Sequence, residues 1–405
     1  MMLWVGTGVG ATAQSRFEKP PVLEASKIIA PDLLSGPHHR TDDKVHNDGY
    51  INSYTIHSTF GEFKAISTAM LRIRINELSA IHAIEQVEGS EEYAESVKES
   101  GVDIAEGTKA LVTQPVDALK GTATGIGLLF KRGAESLFMS KPGRYEDSRA
   151  KALIGFSKTK RDYAKEFGVD VYSSNPILQD HLNEIAWTGY AGGLSVSALT
   201  VAIPGGAGIA VSVAGGTDLL NEVIATTPPS DLRRMNREKL KKMKVSADVI
   251  DLFIDNPNLS PRHQTIIVAA LESMPKTSNR ESFVKFAVLT DTEEVALFAQ
   301  QVVQMHAGYH KKIDKIEEFI PFGSVIASRS AKGKLIAAAP LDYMIWNIYN
   351  AEIFQAFDDF VERTPAIKDK ELWLTGSLSP MTRTHLKESG WKIFEDSEKQ
   401  LLQNP

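Results

Sequence analysis

The residues most able to do chemistry lie near the N-terminus of the chain. Imidazole nitrogens and carboxylate oxygens bind zinc and other divalent ions. The candidate ligands are His38, His39 and His57, with Asp42, Asp43 and Asp48 between them. Their spacing matches no established zinc pattern, and residues 42–48 do not follow the calcium-loop template. One hypothesis is therefore a hydrolase or metal-dependent enzyme that uses the His/Asp cluster at 38–57; the simpler interpretation is a set of polar loop residues.

Other acid–base candidates are scattered along the chain. His306 and His310 stand four residues apart, but Ala307 follows the first histidine where zinc proteases have a glutamate, which favours a helix-end pair over a metal site. Glu62, Glu77 and Asp342 could be general acids or bases, although such residues are usually solvated or ion-paired. The sequence contains no nucleophile elbow and no phosphate-binding loop. It predicts no cofactor other than the divalent metal of the cluster hypothesis.

A long uncharged stretch, residues 185–217, stands out in a chain in which 24% of residues are charged. Pro204-Gly205-Gly206 divides it into two apolar arms, which predicts a Gly/Ala-rich hairpin. The first arm, 185–203, is long enough to cross a bilayer as a helix. Such a stretch has to be buried in the protein core, against a partner or in a membrane, and the sequence leaves all three open.

Six residues near this stretch are candidates for contact with a membrane or a partner. Trp187 and Tyr190 are amphipathic aromatics of the kind found at interfaces. A basic helix can lie on anionic headgroups, and one follows the stretch closely. Its candidate contact residues are Arg233, Arg234, Arg237 and Lys241.

The composition restricts the class of protein and its compartment. The net charge of −6 and the isoelectric point near 6.0 argue against nucleic-acid binding. The absence of cysteine excludes disulfides and thiolate sites. Residues 1–13 are uncharged and end in Ala11-Thr12-Ala13, a small-x-small pattern typical of signal-peptide cleavage sites. This pattern predicts a signal-peptide remnant and an exported, periplasmic or envelope-associated protein.

Periodicity and capping residues predict a predominantly α-helical α+β fold. Residues 14–48 are expected to be an extended Pro-rich arm, and residues 49–364 a mainly helical body with two β-hairpins, at 49–67 and 325–339. Residues 365–405 are expected to form a β-α-β unit on the same body. We expect strands from both chain ends to build one small sheet, with the helical body around the 185–217 hairpin.

These observations favour a non-catalytic function. The leading interpretation is an exported binding or structural protein that contacts a protein partner or a membrane surface. The two alternatives are the enzyme that uses the His/Asp cluster and a membrane-inserting protein that uses the 185–217 hairpin.

Overall fold

The computed structural model describes residues 16–100, 151–194 and 218–402. The predicted leader at 1–13 and most of the predicted hairpin, residues 195–217, lie outside these ranges. The described residues form a mixed α/β structure dominated by helices, so the α+β class is confirmed.

An antiparallel six-stranded sheet forms the N-terminal part. Its strands run in the order β1-β4-β5-β3-β2, with β6 paired to β5. The strands are β1 (Val22–Glu24), β2 (Ser35–Gly36), β3 (His39–Thr41), β4 (Lys44–Asn47), β5 (Asn52–Ser58) and β6 (Gly61–Ile66), with short helices α1 (Ala25–Ile28) and α2 (Pro31–Leu34) after β1. The β5–β6 hairpin is the one predicted at 49–67. Four strands fall inside the predicted arm, because pairing with one another and with β5 satisfies their backbone N–H and C=O groups.

The helices of the body follow their capping signals. The side chain of Ser67 accepts a hydrogen bond from the Met70 amide and begins α3, and Asn175 begins α6 in the same way. The helices are α3 (Thr68–Glu88), α4 (Glu91–Ser100), α5 (Lys151–Glu166), α6 (Pro176–Gly192), α7 (Asp218–Thr226), α8 (Pro229–Lys242), α9 (Ala247–Ile254), α10 (Pro261–Glu272), α11 (Arg280–Val288) and α12 (Glu293–Lys312).

A second sheet forms the C-terminal part, in the order β13-β11-β9-β8-β7. Strands β9, β11 and β13 are parallel, so the predicted β-α-β pairing is confirmed. The elements are β7 (Ile316–Phe322), β8 (Val325–Ser330), β9 (Lys334–Ala339), β10 (Tyr343–Met344), α13 (Ile348–Glu362), β11 (Asp369–Leu374), β12 (Ser377–Leu378), α14 (Pro380–Glu388), β13 (Trp391–Phe394) and α15 (Glu398–Leu401). Strands β10 and β12 form a separate parallel pair.

The expectation of one sheet shared by both chain ends is wrong for the described residues. The N-terminal strands pair through local antiparallel connections, whereas β9, β11 and β13 need crossover helices because they are parallel. The two sheets meet instead through backbone hydrogen bonds. The Asp342 amide donates to the Tyr50 carbonyl at 3.1 Å, and the Ile345 amide donates to the Gly49 carbonyl at 3.1 Å.

The described residues form two large apolar cores. One contains the N-terminal sheet with α3, α5 and α6, and the other contains α9 to α12 with the C-terminal sheet. Leu297 of α12 belongs to the first core although most of its helix belongs to the second. Helix α12 therefore ties the two cores together.

Candidate functional site

The first residues of the uncharged stretch form the end of α6. Ile185 and Ala186 are fully buried in the N-terminal core. The helix ends at Gly192, because Gly193 adopts a left-handed conformation with φ of +75°. The remaining residues of the first arm, 195–203, lie outside the described residues. Over the ranges that the structure describes, no helix is both long and apolar enough to span a membrane.

Two glycines let α6 pack closely against neighbouring helices. A Cβ atom on Gly189 would lie 1.9 Å from the Tyr163 hydroxyl of α5, and one on Gly192 would lie 2.0 Å from the Ser96 carbonyl oxygen of α4. The Tyr163 hydroxyl also donates to the Leu194 carbonyl at 2.5 Å. One side of the described part of the uncharged stretch is therefore in contact with protein.

Two aromatic residues of α6, Trp187 and Tyr190, also contact α5, and we call them the α6 aromatic pair. Their rings stack with centroids 5.8 Å apart, and the edge of Trp187 meets Phe156 at 5.2 Å. Tyr190 is 41% exposed, and Leu219, at the start of α7, is 75% exposed. Apolar surface is therefore exposed close in sequence to both ends of residues 195–217. A tyrosine with an exposed ring and a polar hydroxyl is typical of interfaces.

The candidate basic residues of α8 all have acidic partners. The pairs are Arg233 with Asp255 at 2.6 Å, Arg234 with Asp231 at 3.0 Å, Lys241 with Glu238 at 3.4 Å, and Arg237 with Asp251. A carboxylate beside each cation reduces the positive potential that would attract an anionic surface. These four residues therefore belong to a mixed-charge surface.

His57, of the predicted metal cluster, lies between two carboxylates. Its Nε2 is 2.9 Å from Asp42 Oδ1, and its Nδ1 is 3.8 Å from Glu62 Oε2. The two nitrogens are on different sides of the ring. In this arrangement, Asp42 and Glu62 therefore cannot bind the same metal ion together with one nitrogen of His57. Glu62, a predicted acid–base candidate, is engaged in this contact.

The other two histidines of the cluster have different neighbours. His38 stacks on His82 with ring centroids 4.0 Å apart, and burial lowers the pKa of both His38 and His39. Among the residues described, no group of three or more His, Cys, Asp or Glu side chains is arranged to hold a metal ion. The metal site at His38, His39 and His57 stays a prediction.

Glu77 lies in a buried ion network between the two cores. Arg74 Nη1 is 2.8 Å from Glu77 Oε2, and Arg74 Nη2 is 2.6 Å from Glu293 Oε2. The Ser173 hydroxyl donates to Glu77 at 2.5 Å, and the side-chain amide of Asn175 donates to it at 3.0 Å. The network joins α3, the start of α6 and the start of α12. The hydrogen bonds explain how these charges are accommodated in the interior, which favours a structural role for Glu77.

Asp342 joins the two sheets. Its Oδ2 accepts a hydrogen bond from the Asn52 amide at 2.9 Å, and its Oδ1 accepts one from the Thr68 amide at 3.1 Å. Burial nevertheless raises the pKa of Asp342 to about 6. A carboxyl group with such a pKa can act as a general acid or base. Because these amides belong to β5 and to the first residue of α3, Asp342 also links the C-terminal part of the chain to the N-terminal part.

The two histidines of α12 serve different contacts. His306 is fully buried, and its Nδ1 lies 3.2 Å from the Ser328 hydroxyl. His310 Nδ1 accepts a hydrogen bond from the Ile316 amide at 3.0 Å. Both contacts hold the C-terminal sheet against α12, so this pair is structural, although His306 lies deeper than a helix-end residue would.

The Arg74–Glu77–Glu293 network was not predicted from the sequence. The spacing of Arg74 and Glu77 is compatible with an ion pair on one helix face, and it was the only signal available. Glu293 lies far away along the chain, and no local pattern connects it to α3.

No protein-family model matches the chain, and no curated protein or solved structure is detectably similar to it.

Proposed function

We propose that this chain is an exported, non-catalytic binding protein that engages a protein partner through the α6 aromatic pair and the uncharged stretch that follows it. The observation that carries the proposal is Tyr190, which is 41% exposed and stacked on Trp187 where the uncharged stretch leaves α6. An exposed tyrosine ring held in place by a partly buried tryptophan buries apolar area at little entropic cost when a partner covers it.

A protein partner is favoured over a lipid surface for two reasons. Helix α6 ends at Gly192, so it does not continue from the aromatic pair as a helix long enough to span a membrane. The cations of α8 lie beside carboxylates, so they provide little attraction to anionic headgroups. Export is supported by the uncharged residues 1–13 and their small-x-small ending.

Fractionation of cells that make the native protein, followed by a carbonate wash of the membranes, tests this function. We expect the protein to be released and to elute in gel filtration ahead of its own mass of 44.4 kDa, in a complex. The Tyr190→Ser variant should elute as the free chain, because it lacks the aromatic ring proposed to contact the partner. It should still fold, because an exposed side chain can be replaced with little effect on folding. Carbonate-resistant protein, or wild-type protein that elutes as the free chain, would contradict the proposal.

Mature protein that begins at Gln14 would support the export part of the proposal independently. An intact leader on cytosolic protein would contradict it, whatever the outcome of the gel filtration.

A further inference from the structure

Arg161 of α5 is a buried cation that lacks the usual counter-charge. The residue is 5% exposed, and its Nε is enclosed without an acceptor. In the parts of the chain that the structure describes, no carboxylate forms an ion pair with it. This distinguishes it from Arg74 and Arg262, the other arginines buried in the helical body, which face carboxylates at 2.8 Å and 3.8 Å.

The chemistry of the guanidinium group makes this arrangement unusual. Arginine stays protonated in proteins, so burial cannot neutralise it as burial neutralises lysine or histidine. A buried charge is costly unless it is paired and hydrogen-bonded. A buried polar group without a partner therefore calls for an explanation, and an anion that binds there is one.

Neighbouring polar groups are engaged elsewhere. Asp162 pairs with Lys158 at 2.7 Å, and Glu222 of α7 pairs with Lys165 at 2.5 Å. Lys160 donates to the Gln179 side chain at 2.6 Å. The carboxylate of Asp162 or Glu222 could therefore pair with Arg161 only if its existing ion pair were broken.

The position of Arg161 follows from helix geometry. Arg161 and Lys165 are four residues apart and share one face of α5. Lys165 reaches Glu222 of α7, and the two helices are in contact. Arg161 therefore lies one helical turn before the residue of α5 that pairs with α7.

We propose that Arg161 binds the oxyanion group of a ligand, a phosphate or carboxylate. The fork of the guanidinium presents parallel N–H donors that match the oxygens of either group. This proposal does not depend on the proposed function, since it concerns a different side chain and a different class of ligand.

Thermal unfolding of the full chain in inorganic phosphate tests the proposal, with chloride at equal ionic strength as the reference. We expect the wild-type Tm to rise saturably with phosphate. The Arg161→Met variant should be at least as stable as wild type without phosphate, because it removes an unpaired buried charge, and should show no phosphate-dependent rise. The Arg161→Lys variant should bind phosphate roughly tenfold or more weakly, because lysine lacks the bidentate fork.

The control is Lys158→Met, which removes an exposed cation of the same helix that already has a carboxylate partner. It should keep the full phosphate response. A wild-type Tm that does not respond to phosphate would overturn the proposal. So would an unchanged response in Arg161→Lys, which remains informative if Arg161→Met does not fold.

Two further probes distinguish the source of the oxyanion. A saturable response to glycerol phosphate without binding to phosphatidylglycerol vesicles identifies a small soluble ligand. Binding to phosphatidylglycerol vesicles but not to phosphatidylcholine vesicles, and its loss in Arg161→Met, identifies a lipid headgroup. A response to neither probe, together with a flat response to inorganic phosphate, contradicts an oxyanion site.

Discussion

His306 should make the stability of this protein depend steeply on acid. The ring is fully buried beneath the edge of Phe319, with ring centroids 5.4 Å apart, and its Nε2 has no hydrogen-bond partner among the described residues. Burial lowers its pKa from 6.5 to about 3, because the protonated ring would carry an unpaired charge in the core.

The sign of the effect follows from proton uptake. Between pH 3 and 6.5 the unfolded chain binds a proton at this histidine and the folded chain does not, so the free energy of unfolding falls as the pH falls through this range. Each pH unit is worth about 1.4 kcal/mol. The loss between pH 6.5 and pH 4 is therefore about 3 kcal/mol, a large fraction of the 5–15 kcal/mol typical of folded domains.

Urea unfolding at a series of pH values measures this loss. The His306→Gln variant cannot take up the proton, so its stability should fall less steeply than that of wild type between pH 6.5 and pH 4. His181→Gln is a control, because its effect on the pH dependence of the free energy of unfolding should have the opposite sign. The Glu88 carboxylate, 3.2 Å from His181, raises the pKa of that histidine, so His181 stabilises the folded chain most at low pH. Equal pH slopes for His306→Gln and wild type would refute the reasoning.

Three other predictions concern packing, the sheet junction and metal. Gly192→Ala should destabilise the protein by about 1–3 kcal/mol in urea unfolding, because its Cβ would lie 2.0 Å from a backbone oxygen. The control Gly89→Ala, whose Cβ would have its nearest contact at 3.5 Å, should change the stability little. Burial raises the pKa of Asp342 to about 6, so wild type should lose stability relative to Asp342→Asn as the pH rises from about 4 to 6; a constant difference in unfolding free energy would disprove this. Elemental analysis should find no stoichiometric zinc if His57 stays between Asp42 and Glu62, and zinc that is lost in His57→Gln would instead support the enzyme hypothesis.

Elements with a strong local signal were predictable from the sequence. Helix α3 is one of these, because its apolar residues recur at helical spacing. The hairpin of β8 and β9 was predicted from its central Ala331-Lys332-Gly333 turn. Strand β13 lies inside the predicted β-α-β unit, where a short apolar run follows Gly390.

Features that depend on distant residues were not predictable. Strands β1 to β4 have two to four residues each, too few for a period-two pattern to emerge. The separation of the strands into two sheets depends on which partner each edge meets. The Arg74–Glu293 contact joins α3 to α12, and the burial of Arg161 depends on how α5 packs, so neither leaves a local trace in the sequence.

The central claim is that the α6 aromatic pair contacts a protein partner. A photo-crosslinking amino acid in place of Tyr190 tests it most directly, in cells that make the native-length protein. The control places the same amino acid at Arg234, whose side chain is 69% exposed and lies on the mixed-charge helix α8. We predict one reproducible protein adduct from position 190 that is absent from position 234. Lipid adducts from position 190, or the same adducts from both positions, would contradict the account.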